Sequence, residues 1–384
     1  MNAVQHLGEL IAVSGVRFGS RTAVVSPDRA VSFAELDELA SAMARNLLAE
    51  GIGPGDVVTL WFENGWRWLA AYYGVLRAGA VVNPVNALLT AAEVDYIVRD
   101  CGARLIVGAV DRVHQLAPAP GVRIVDDASG LDALLAPAAD TERLPPGDIG
   151  LSSLASICYT SGTTGRPKGA VLTHQAVLMN TLMTSLMHGR SAGDVVVSAL
   201  PCPHVYGNVV MNSAIACGLT LVLFPRFDEE TVIDSIARHR ATMFEGVPTM
   251  YMRLLNHAAL ARADLSSLRR CTVGGQTMPV ATMEEVERRF GCRLLELWGM
   301  TELAGLGTTH PWNGPRRLGS IGVPMPFYEA RVAHVDDASR TMPDGDVGEL
   351  LIRGPSVMNG YLNHEAATRE AIEPDGWLHT GDLA

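Results

Sequence analysis

Residues 159–169 read Tyr-Thr-Ser-Gly-Thr-Thr-Gly-Arg-Pro-Lys-Gly, a run of hydroxyl side chains and glycines that ends beside a lysine. The apolar residues "ASIC" (155–158) precede this run and "AVLTH" (170–174) follows it, which predicts one strand entering a loop and another leaving it. The glycines let consecutive backbone N–H groups turn toward one anion, and the hydroxyl groups add donors. The stretch is therefore predicted to be a polyphosphate-binding loop between two strands.

This loop differs from the Walker loop, in which G-x-x-x-x-G-K-[ST] lies between a strand and a helix. The spacing from Gly162 to Lys168 does not fit that pattern, and Gly169 stands where a Ser or Thr would hold magnesium. Lys168 is also the only lysine among the 30 Lys and Arg residues of the chain. Because lysine offers a compact point charge and arginine a planar fork, this placement favours a specific role over a plain surface turn.

The composition indicates a folded protein with a large core, since 48% of the 384 residues are hydrophobic and 18% are charged. Disordered and small disulfide-rich classes are excluded, and the length allows two or three domains. The net charge of −11 argues against nucleic acid or an anionic membrane as a partner. The six cysteines show no zinc or disulfide spacing, and the sequence has neither a signal-peptide pattern nor a bilayer-spanning stretch, so a reduced, cytoplasmic protein is predicted.

Outside the loop, helices and short apolar strands alternate along the chain. Capping boxes at Ser32–Glu35 and Thr90–Glu93 predict helix starts, a helix is predicted through 66–77, and "DVVTLWF" (56–62) is typical of a strand. The alternation predicts an α/β fold with parallel strands joined by crossover helices. Residues 117–150 are rich in Pro, Ala and Asp and are predicted to be a surface connection with little regular structure.

The pattern changes along the chain in a way that predicts three parts. Residues 1–190 are predicted to form an α/β subdomain that carries the loop, and residues 191–315 a second α/β subdomain packed against it. Residues 316–384, with short strands between Gly, Pro and Asp turns, are predicted to form a small β-rich subdomain, a distorted barrel. The sequence stops at "HTGDLA" (379–384) inside a predicted loop, which suggests an incomplete protein.

Four motifs along the chain resemble those of one enzyme superfamily, in the same order. They are "YTSGTTGRPKGAVLTH" (159–174), "WGMTE" (298–302), "GELLIRGPSVMNGYLNHEAAT" (348–368) and "GWLHTGD" (376–382). Together they resemble the adenylate-forming superfamily, which includes acyl-CoA synthetases, peptide-synthetase adenylation domains and luciferases. The resemblance covers essentially the whole chain, and the four motifs are jointly highly specific.

The resemblance implies nucleotide-binding roles for the matched residues. In the family the loop holds the β- and γ-phosphates of ATP. The residue matching Thr301 contacts the α-phosphate, and the residue matching Glu302 helps to hold Mg²⁺. Trp298 stands where a tyrosine usually stacks on adenine, and an indole can stack as well. Asp382 matches the aspartate that binds the ribose hydroxyls. The residues implied for the nucleotide are Thr160, Ser161, Gly162, Thr163, Thr164, Gly165, Lys168, Gly274, Gly275, Gln276, Trp298, Gly299, Met300, Thr301 and Asp382.

The resemblance also implies a pocket for a carboxylic acid. In acyl-activating relatives a histidine matching His204 lies beside the substrate carboxylate, so His204 joins Lys168, Thr301 and Glu302 as an implied catalytic residue. A structural histidine is the alternative interpretation. The residues implied for the acid are His204, Val205, Tyr206, Gly207, Gly275, Met300, Ala304 and Gly305.

The implied activity is an AMP-forming acid:thiol ligation that uses ATP, Mg²⁺ and CoA. The acid and ATP would give an acyl-adenylate and pyrophosphate, and the thiol would then give a thioester. A ligase for an acyl carrier protein and an adenylation domain for amino acids are alternatives, although Val205 stands where an amino-acid activator would carry an aspartate. A non-catalytic nucleotide-binding protein is a third alternative.

The resemblance also implies a mobile C-terminal domain after the T-G-D motif, whose lysine reaches the carboxylate–phosphate junction. The present sequence ends two residues after Asp382 and has no lysine besides Lys168. One lost donor of that kind costs about 10²–10³ in rate. The 384 residues are therefore expected to fold and to bind ATP and a preformed acyl-adenylate, but to make little thioester.

Overall fold

The computed structural model of the chain describes residues 4–118, 120–137, 149–160 and 166–384. Within these ranges the strands form three sheets, with helices packed against them. None of the helices in these ranges is long and apolar enough to cross a membrane.

The bounds of the elements are as follows. The strands are β1 (Thr22–Val25), β2 (Ala30–Ser32), β3 (Val57–Trp61), β4 (Val81–Pro84), β5 (Ala103–Gly108), β6 (Arg123–Asp126), β7 (Leu154–Thr160), β8 (Lys168–Thr173), β9 (Val195–Ser198), β10 (Thr220–Leu223), β11 (Met243–Gly246), β12 (Arg270–Val273), β13 (Arg293–Met300), β14 (Gly305–Thr309), β15 (Val323–Pro324), β16 (Glu329–His334), β17 (Asp337–Thr341), β18 (Glu349–Arg353) and β19 (Leu378–Leu383). The α-helices are α1 (Leu10–Phe18), α2 (Phe33–Ala49), α3 (Trp66–Arg77), α4 (Ala91–Cys101), α5 (Ser129–Leu135), α6 (His174–Met187), α7 (Val205–Cys217), α8 (Glu229–Arg238), α9 (Pro248–Asn256), α10 (Val280–Phe290) and α11 (Glu365–Ala371).

Two of the sheets are mainly parallel, and the third is antiparallel. One has the order β6-β5-β3-β4-β7-β8, parallel except for β7 with β8. The second has the order β15-β14-β13-β12-β11-β9-β10-β1-β2, with antiparallel pairs only toward its edges. The small sheet, β17-β16-β18-β19, is antiparallel. The predicted α/β fold is confirmed, and the predicted small β-rich unit corresponds to this antiparallel sheet.

The local signals in the sequence correspond to the observed helix starts. Ser32 caps α2 by accepting a hydrogen bond from the backbone N–H of Glu35, and Thr90 with Glu93 forms a complete capping box on α4. These side chains satisfy backbone donors that the first turn leaves unpaired. Helix α3 has the predicted bounds. The predicted strand at 56–62 is β3, all five residues of which are buried, as expected for a parallel sheet covered on both faces.

The prediction that residues 117–150 have little regular structure was wrong for part of that range. Strand β6 lies there and pairs in parallel with β5, and α5 follows it directly. Leu131, Leu134 and Leu135 of α5 are buried, so the helix packs its apolar face on the core. The high content of Pro, Ala and Asp favoured an irregular connection, although the short strand β6 and the i, i+3, i+4 spacing of the three leucines lie within it. Residues 119 and 138–148 lie outside the described ranges.

The division of the chain into 1–190, 191–315 and 316–384 stays a prediction. Strand β1, from the first of these ranges, pairs in parallel with β10 from the second, and β2 pairs antiparallel with β1, so both strands extend the sheet of the second range. Side chains of the first two ranges also contact each other, since the hydroxyl of Tyr73 on α3 donates to the side-chain oxygen of Asn212 on α7 at 2.7 Å. Both side chains are completely buried in the main core.

Candidate active site

The two strands that border the predicted phosphate loop pair with each other. Strands β7 and β8 pair antiparallel, with Thr160 opposite Lys168 and Tyr159 opposite Gly169. The two strands predicted on either side of the loop are therefore confirmed, and Lys168 is the first residue of β8. The predicted phosphate-binding residues Ser161, Gly162, Thr163, Thr164 and Gly165 lie outside the described residues.

The connection between β13 and β14 carries Thr301 and Glu302 in a short 3-10 turn (Thr301–Leu303). Glu302 is only 6% exposed. Its Oε1 accepts a hydrogen bond from the Tyr361 hydroxyl at 2.7 Å, and its Oε2 accepts none from the described residues. A buried carboxylate needs partners for its charge, and an oxygen ligand of this kind suits Mg²⁺. Glu302 therefore fits the metal-binding role that the sequence implies.

Tyr361 lies between this glutamate and the lysine. The Nζ atom of Lys168 is 4.8 Å from the centroid of the Tyr361 ring. A cation over an aromatic face is attracted by the negative face of the ring. One side chain thus contacts two of the predicted catalytic residues. The sequence analysis did not single out Tyr361, although it lies inside the matched motif 348–368 and could have been found there.

The turn that holds Glu302 is strained and is held in place from helix α6. Ala304 has φ 54°, and Gly305 has φ 148°, a conformation that favours glycine. The amide nitrogen of Asn180 donates to the carbonyl oxygens of Leu303 at 3.0 Å and Leu306 at 2.8 Å. Its amide oxygen accepts from the backbone N–H of Leu306 at 3.1 Å.

Asn180 is completely buried, and no sequence argument had singled it out. The available signal was an amide inside the otherwise apolar stretch "AVLMNTLM" (176–183). A buried amide costs free energy unless its donors and acceptors are all paired, and the turn supplies these partners. Asn180 is therefore a structural support for the turn that carries Thr301 and Glu302.

A cavity of about 400 Å³ lies beside β13. Five of the predicted nucleotide-binding residues line it, namely Gly275, Gln276, Trp298, Gly299 and Asp382. The indole Nε1 of Trp298 donates to Oδ2 of Asp382 at 2.8 Å, which fixes the indole at the cavity wall. The role of Trp298 in stacking on adenine stays a prediction. Gly274 directly follows β12 and Met300 ends β13, and neither lines this cavity.

His204 precedes helix α7 and caps it. Its Nδ1 accepts a hydrogen bond from the backbone N–H of Tyr206 at 3.3 Å. The side chain remains accessible to solvent, but the surrounding protein lowers its pKa by desolvation. The imidazole is therefore neutral at neutral pH, and it faces outward from the start of α7. Val205, Tyr206 and Gly207, which follow it, are buried.

The hydroxyl of Tyr206 points into a buried polar network. It bonds to the hydroxyl of Thr272, which donates to Oε2 of Glu245 at 2.9 Å. Glu245 in turn pairs with Arg190 at 2.8 Å, and both side chains are completely buried. Burial raises the pKa of the Tyr206 hydroxyl, so it stays neutral. The ring of Tyr206, rather than its hydroxyl, is therefore the part of this side chain that a neighbouring ligand could contact.

A cavity of about 770 Å³ lies along helix α8. Val25, Phe224, Asp228 and His239 are among its lining residues, and the predicted site residues are not. The paired strands β7 and β8, the β13–β14 turn and the cavity beside β13 together form the candidate site.

A model of the AMP-binding enzyme family matches residues 12–362. Two similar proteins are a sulfoacetate–CoA ligase of Cupriavidus necator and a long-chain-fatty-acid–CoA ligase of Bacillus subtilis, at 35% and 30% identity. The matches cover 98% of this chain in both cases, and 75% and 74% of those proteins. A similar solved structure is ATP-bound MatB from Rhodopseudomonas palustris, with a TM-score of 0.89 at 30% identity over 98% of this chain and 76% of that one.

The chain therefore belongs to the AMP-binding enzyme family, as an AMP-forming acid–CoA ligase that uses ATP, CoA and Mg²⁺. The superfamily that the four motifs indicated, and the activity that they implied, are both confirmed.

Proposed function

We propose that the residues of this site divide the ligase reaction among them as the motifs imply. Lys168 and the loop from Thr160 to Gly165 hold the β- and γ-phosphates, and Thr301 contacts the α-phosphate. Glu302 would hold Mg²⁺, and the bound metal ion would neutralise phosphate charge. The observation that carries this proposal is that Tyr361 contacts both the chain's only lysine and a buried glutamate. Nζ of Lys168 is 4.8 Å from the Tyr361 ring centroid, and Oε1 of Glu302 is 2.7 Å from the Tyr361 hydroxyl.

On this assignment the cavity beside β13 receives the adenosine part of ATP. Asp382 accepts hydrogen bonds from the ribose hydroxyls through Oδ1, since Oδ2 is bonded to the Trp298 indole. The indole plane then forms one wall for the adenine, and the residues from Gly274 to Gln276 and from Gly299 to Met300 border the nucleotide. Trp298 and Glu302 are four residues apart, so one strand end serves both parts of the nucleotide.

The chemistry needs charge stabilisation more than covalent help from the protein. A carboxylate oxygen of the acid attacks the α-phosphorus, and pyrophosphate leaves with its charge held by Lys168 and the loop. A thiol then attacks the acyl carbon, and AMP leaves with the electron pair of the broken acyl–oxygen bond. His204, neutral at neutral pH because desolvation lowers its pKa, borders the substrate carboxylate without a fixed charge.

The acid itself is proposed to be a monocarboxylate with an uncharged body. The proposed acid-pocket residues other than His204 are uncharged, and they are Val205, Tyr206, Gly207, Gly275, Met300, Ala304 and Gly305. Arg190 lies behind Tyr206, but it is completely buried and paired with Glu245. A second anionic group on the substrate would lose its hydration at this wall without gaining a partner.

CoA is the acceptor of the reaction, as in the ligases that the chain resembles, and an acyl carrier protein is the alternative acceptor that the sequence left open. The cytoplasm is the proposed location, supported by the use of ATP and CoA and by six cysteines that are all free.

Pyrophosphate release with a panel of acids tests this assignment. Fatty, aromatic and polycyclic monocarboxylates are compared with sulfoacetate and a dicarboxylate of similar length, each with Mg²⁺–ATP and with either CoA or a carrier protein. We expect pyrophosphate release with a monocarboxylate, at the reduced rate expected of these 384 residues, and the little thioester that forms should be on CoA. Preference for the sulfonate or dicarboxylate would contradict the proposed pocket, and thioester formed only on the carrier protein would contradict CoA as acceptor.

A further inference from the structure

We infer that Tyr361 is a positioning residue that sets the metal-binding carboxylate of Glu302 and the ammonium group of Lys168 relative to each other. The inference rests on the proposed function for the roles of those two residues. The role of Tyr361 itself follows from three groups of contacts, made by its hydroxyl, its ring and its backbone.

The hydroxyl of Tyr361 orients the glutamate. It donates to Oε1 of Glu302 at 2.7 Å, and the carboxylate is otherwise almost enclosed. In this bond the phenol O–H is the donor, since an ionised carboxylate can only accept. With Oε1 held, Oε2 is the carboxylate oxygen that a metal ion can approach.

The ring of Tyr361 orients the lysine. The ammonium group of Lys168 lies 4.8 Å from the ring centroid, at cation–π distance. This contact uses none of the three N–H donors in a directed hydrogen bond. The lysine is therefore held in place while its donors stay available to phosphate oxygens.

The backbone of residues 358–362 fixes the ring and hydroxyl in turn. This segment pairs with β8 through an antiparallel bridge between Tyr361 and Ala170. The Val171 N–H donates to the carbonyl of Gly360 at 2.9 Å, and the Leu362 N–H donates to that of Gly169 at 2.8 Å. At its other end, the Met358 N–H donates to the carbonyl of Glu302 at 2.8 Å. The segment therefore connects the strand of the lysine to the turn of the glutamate.

Gly360 lets the segment turn at this point. Its φ of 129° favours glycine, and a Cβ there would lie 2.6 Å from Cγ2 of Thr368. The hydroxyl of Thr368 accepts from the Tyr361 N–H at 2.9 Å. The bond to Thr368 and the pairing with β8 restrict the backbone of residue 361, so the side chain has little freedom to leave the glutamate.

Calorimetric titration of ATP with and without Mg²⁺ tests the inference. For each variant, the quantity compared is the ratio of the two dissociation constants. We expect Tyr361→Phe, which keeps the ring, to reduce the Mg²⁺ enhancement about 10-fold, since hydrogen bonds to charged groups are among the stronger ones. Tyr361→Leu should also weaken binding without Mg²⁺, because the contact with Lys168 is lost. Tyr73→Phe removes a hydroxyl bond of the same 2.7 Å length in the distant core and should leave the ratio unchanged.

A double-mutant cycle separates positioning from general loosening. In a Glu302→Gln background, Tyr361→Phe should have no further effect on the ratio, because the carboxylate it orients is gone. A wild-type ratio in Tyr361→Phe, or equal effects in both backgrounds, would overturn the inference while leaving the proposed function intact. If the unmodified chain shows no Mg²⁺ enhancement, the proposed role of Glu302 fails, and the inference fails with it.

Discussion

The two halves of the proposed nucleotide site are built differently. The phosphate side, meaning Lys168, Glu302 and Tyr361, has a buried carboxylate and backbone hydrogen bonds that tie β8 to the β13–β14 turn. The adenosine side, meaning the cavity with Trp298 and Asp382, is joined across its mouth by one side-chain bond, and its aspartate is exposed. Buried charges require fixed partners, whereas exposed polar groups can exchange theirs for water. Substitutions on the phosphate side are therefore expected to have the larger effects.

Substitution of Lys168 is expected to have the largest effect. Lys168→Ala should weaken ATP binding about 10–100-fold, as expected for hydrogen bonds to charged groups, and should weaken binding of the acid much less. Lys168→Arg should also be impaired, because a planar fork does not reproduce a point charge under the Tyr361 ring. Calorimetric titration with ATP measures both, with Arg288→Ala on the distant helix α10 as a control for loss of one positive charge. Full nucleotide affinity in Lys168→Arg would contradict the argument from the single lysine.

Loss of the support behind the turn is expected to come next. Asn180→Ala should lower the free energy of unfolding by about 2–3 kcal/mol, since several buried partners lose their hydrogen bonds. It should also reduce the Mg²⁺ enhancement of ATP binding, because Leu303 and Leu306 flank the strained turn. Asn83→Ala is the matched control: Asn83 is equally buried and donates to the carbonyl of Ile157 at 2.9 Å. It should cost similar stability by denaturant titration but leave the Mg²⁺ enhancement unchanged, and the same loss of enhancement in both would contradict a specific role for Asn180.

Lowering the pH should reduce the stability of the folded chain through His174, which directly follows β8. Burial lowers the pKa of His174 to about 3, and its Nδ1 accepts from the Leu7 N–H at 3.2 Å, which requires the neutral ring. Below pH 6.5 the unfolded chain takes up a proton that the folded chain does not, so stability falls as the pH is lowered from 6.5 toward 3. One such histidine contributes a slope of about 1.4 kcal/mol per pH unit. Denaturant unfolding at several pH values should show a shallower slope in His174→Gln, and an unchanged slope would contradict the assignment.

The adenosine side should respond least. Trp298→Phe keeps an aromatic face but loses the 2.8 Å bond to Asp382, which is exposed and can bond to water instead. We expect ATP affinity to fall only about 3–10-fold, within the net worth of an ordinary hydrogen bond. Trp298→Tyr should recover part of this loss if its hydroxyl reaches the cavity mouth. A loss as large as that of Lys168→Ala would remove the difference between the two sides.

Much of the fold and part of the site could be predicted from the sequence, because those features depend on short stretches. Each of these features is determined by a few neighbouring residues: the capping boxes of α2 and α4, the bounds of α3, and the paired strands around the phosphate loop. The composition of residues 117–150 gave a wrong prediction because β6 depends on pairing with a separate strand, β5, and not on its own residues alone.

The contacts that the sequence did not predict are those between distant residues. Tyr361 and Glu302 are 59 residues apart, Asn180 and Leu303 are 123 apart, and Trp298 and Asp382 are 84 apart. Each pair meets because the sheets bring separate chain segments together, and hydrophobic periodicity does not record which segments will be neighbours. The sequence motifs therefore predict roles for their own residues, and these roles stay proposals, whereas the residues that contact and position them were not predicted.

The Mg²⁺ response of ATP binding in Glu302→Gln tests the central claim most directly. Glutamine keeps the shape of the side chain and can still bond to Tyr361, but it lacks the charge that a hard cation requires. Titration of ATP in Mg²⁺ and in EDTA should show strong enhancement by Mg²⁺ in the unmodified chain and almost none in Glu302→Gln, with similar affinities in EDTA. An unchanged Mg²⁺ response in the variant would mean that Glu302 only supports the turn, and it would contradict the account of the phosphate side.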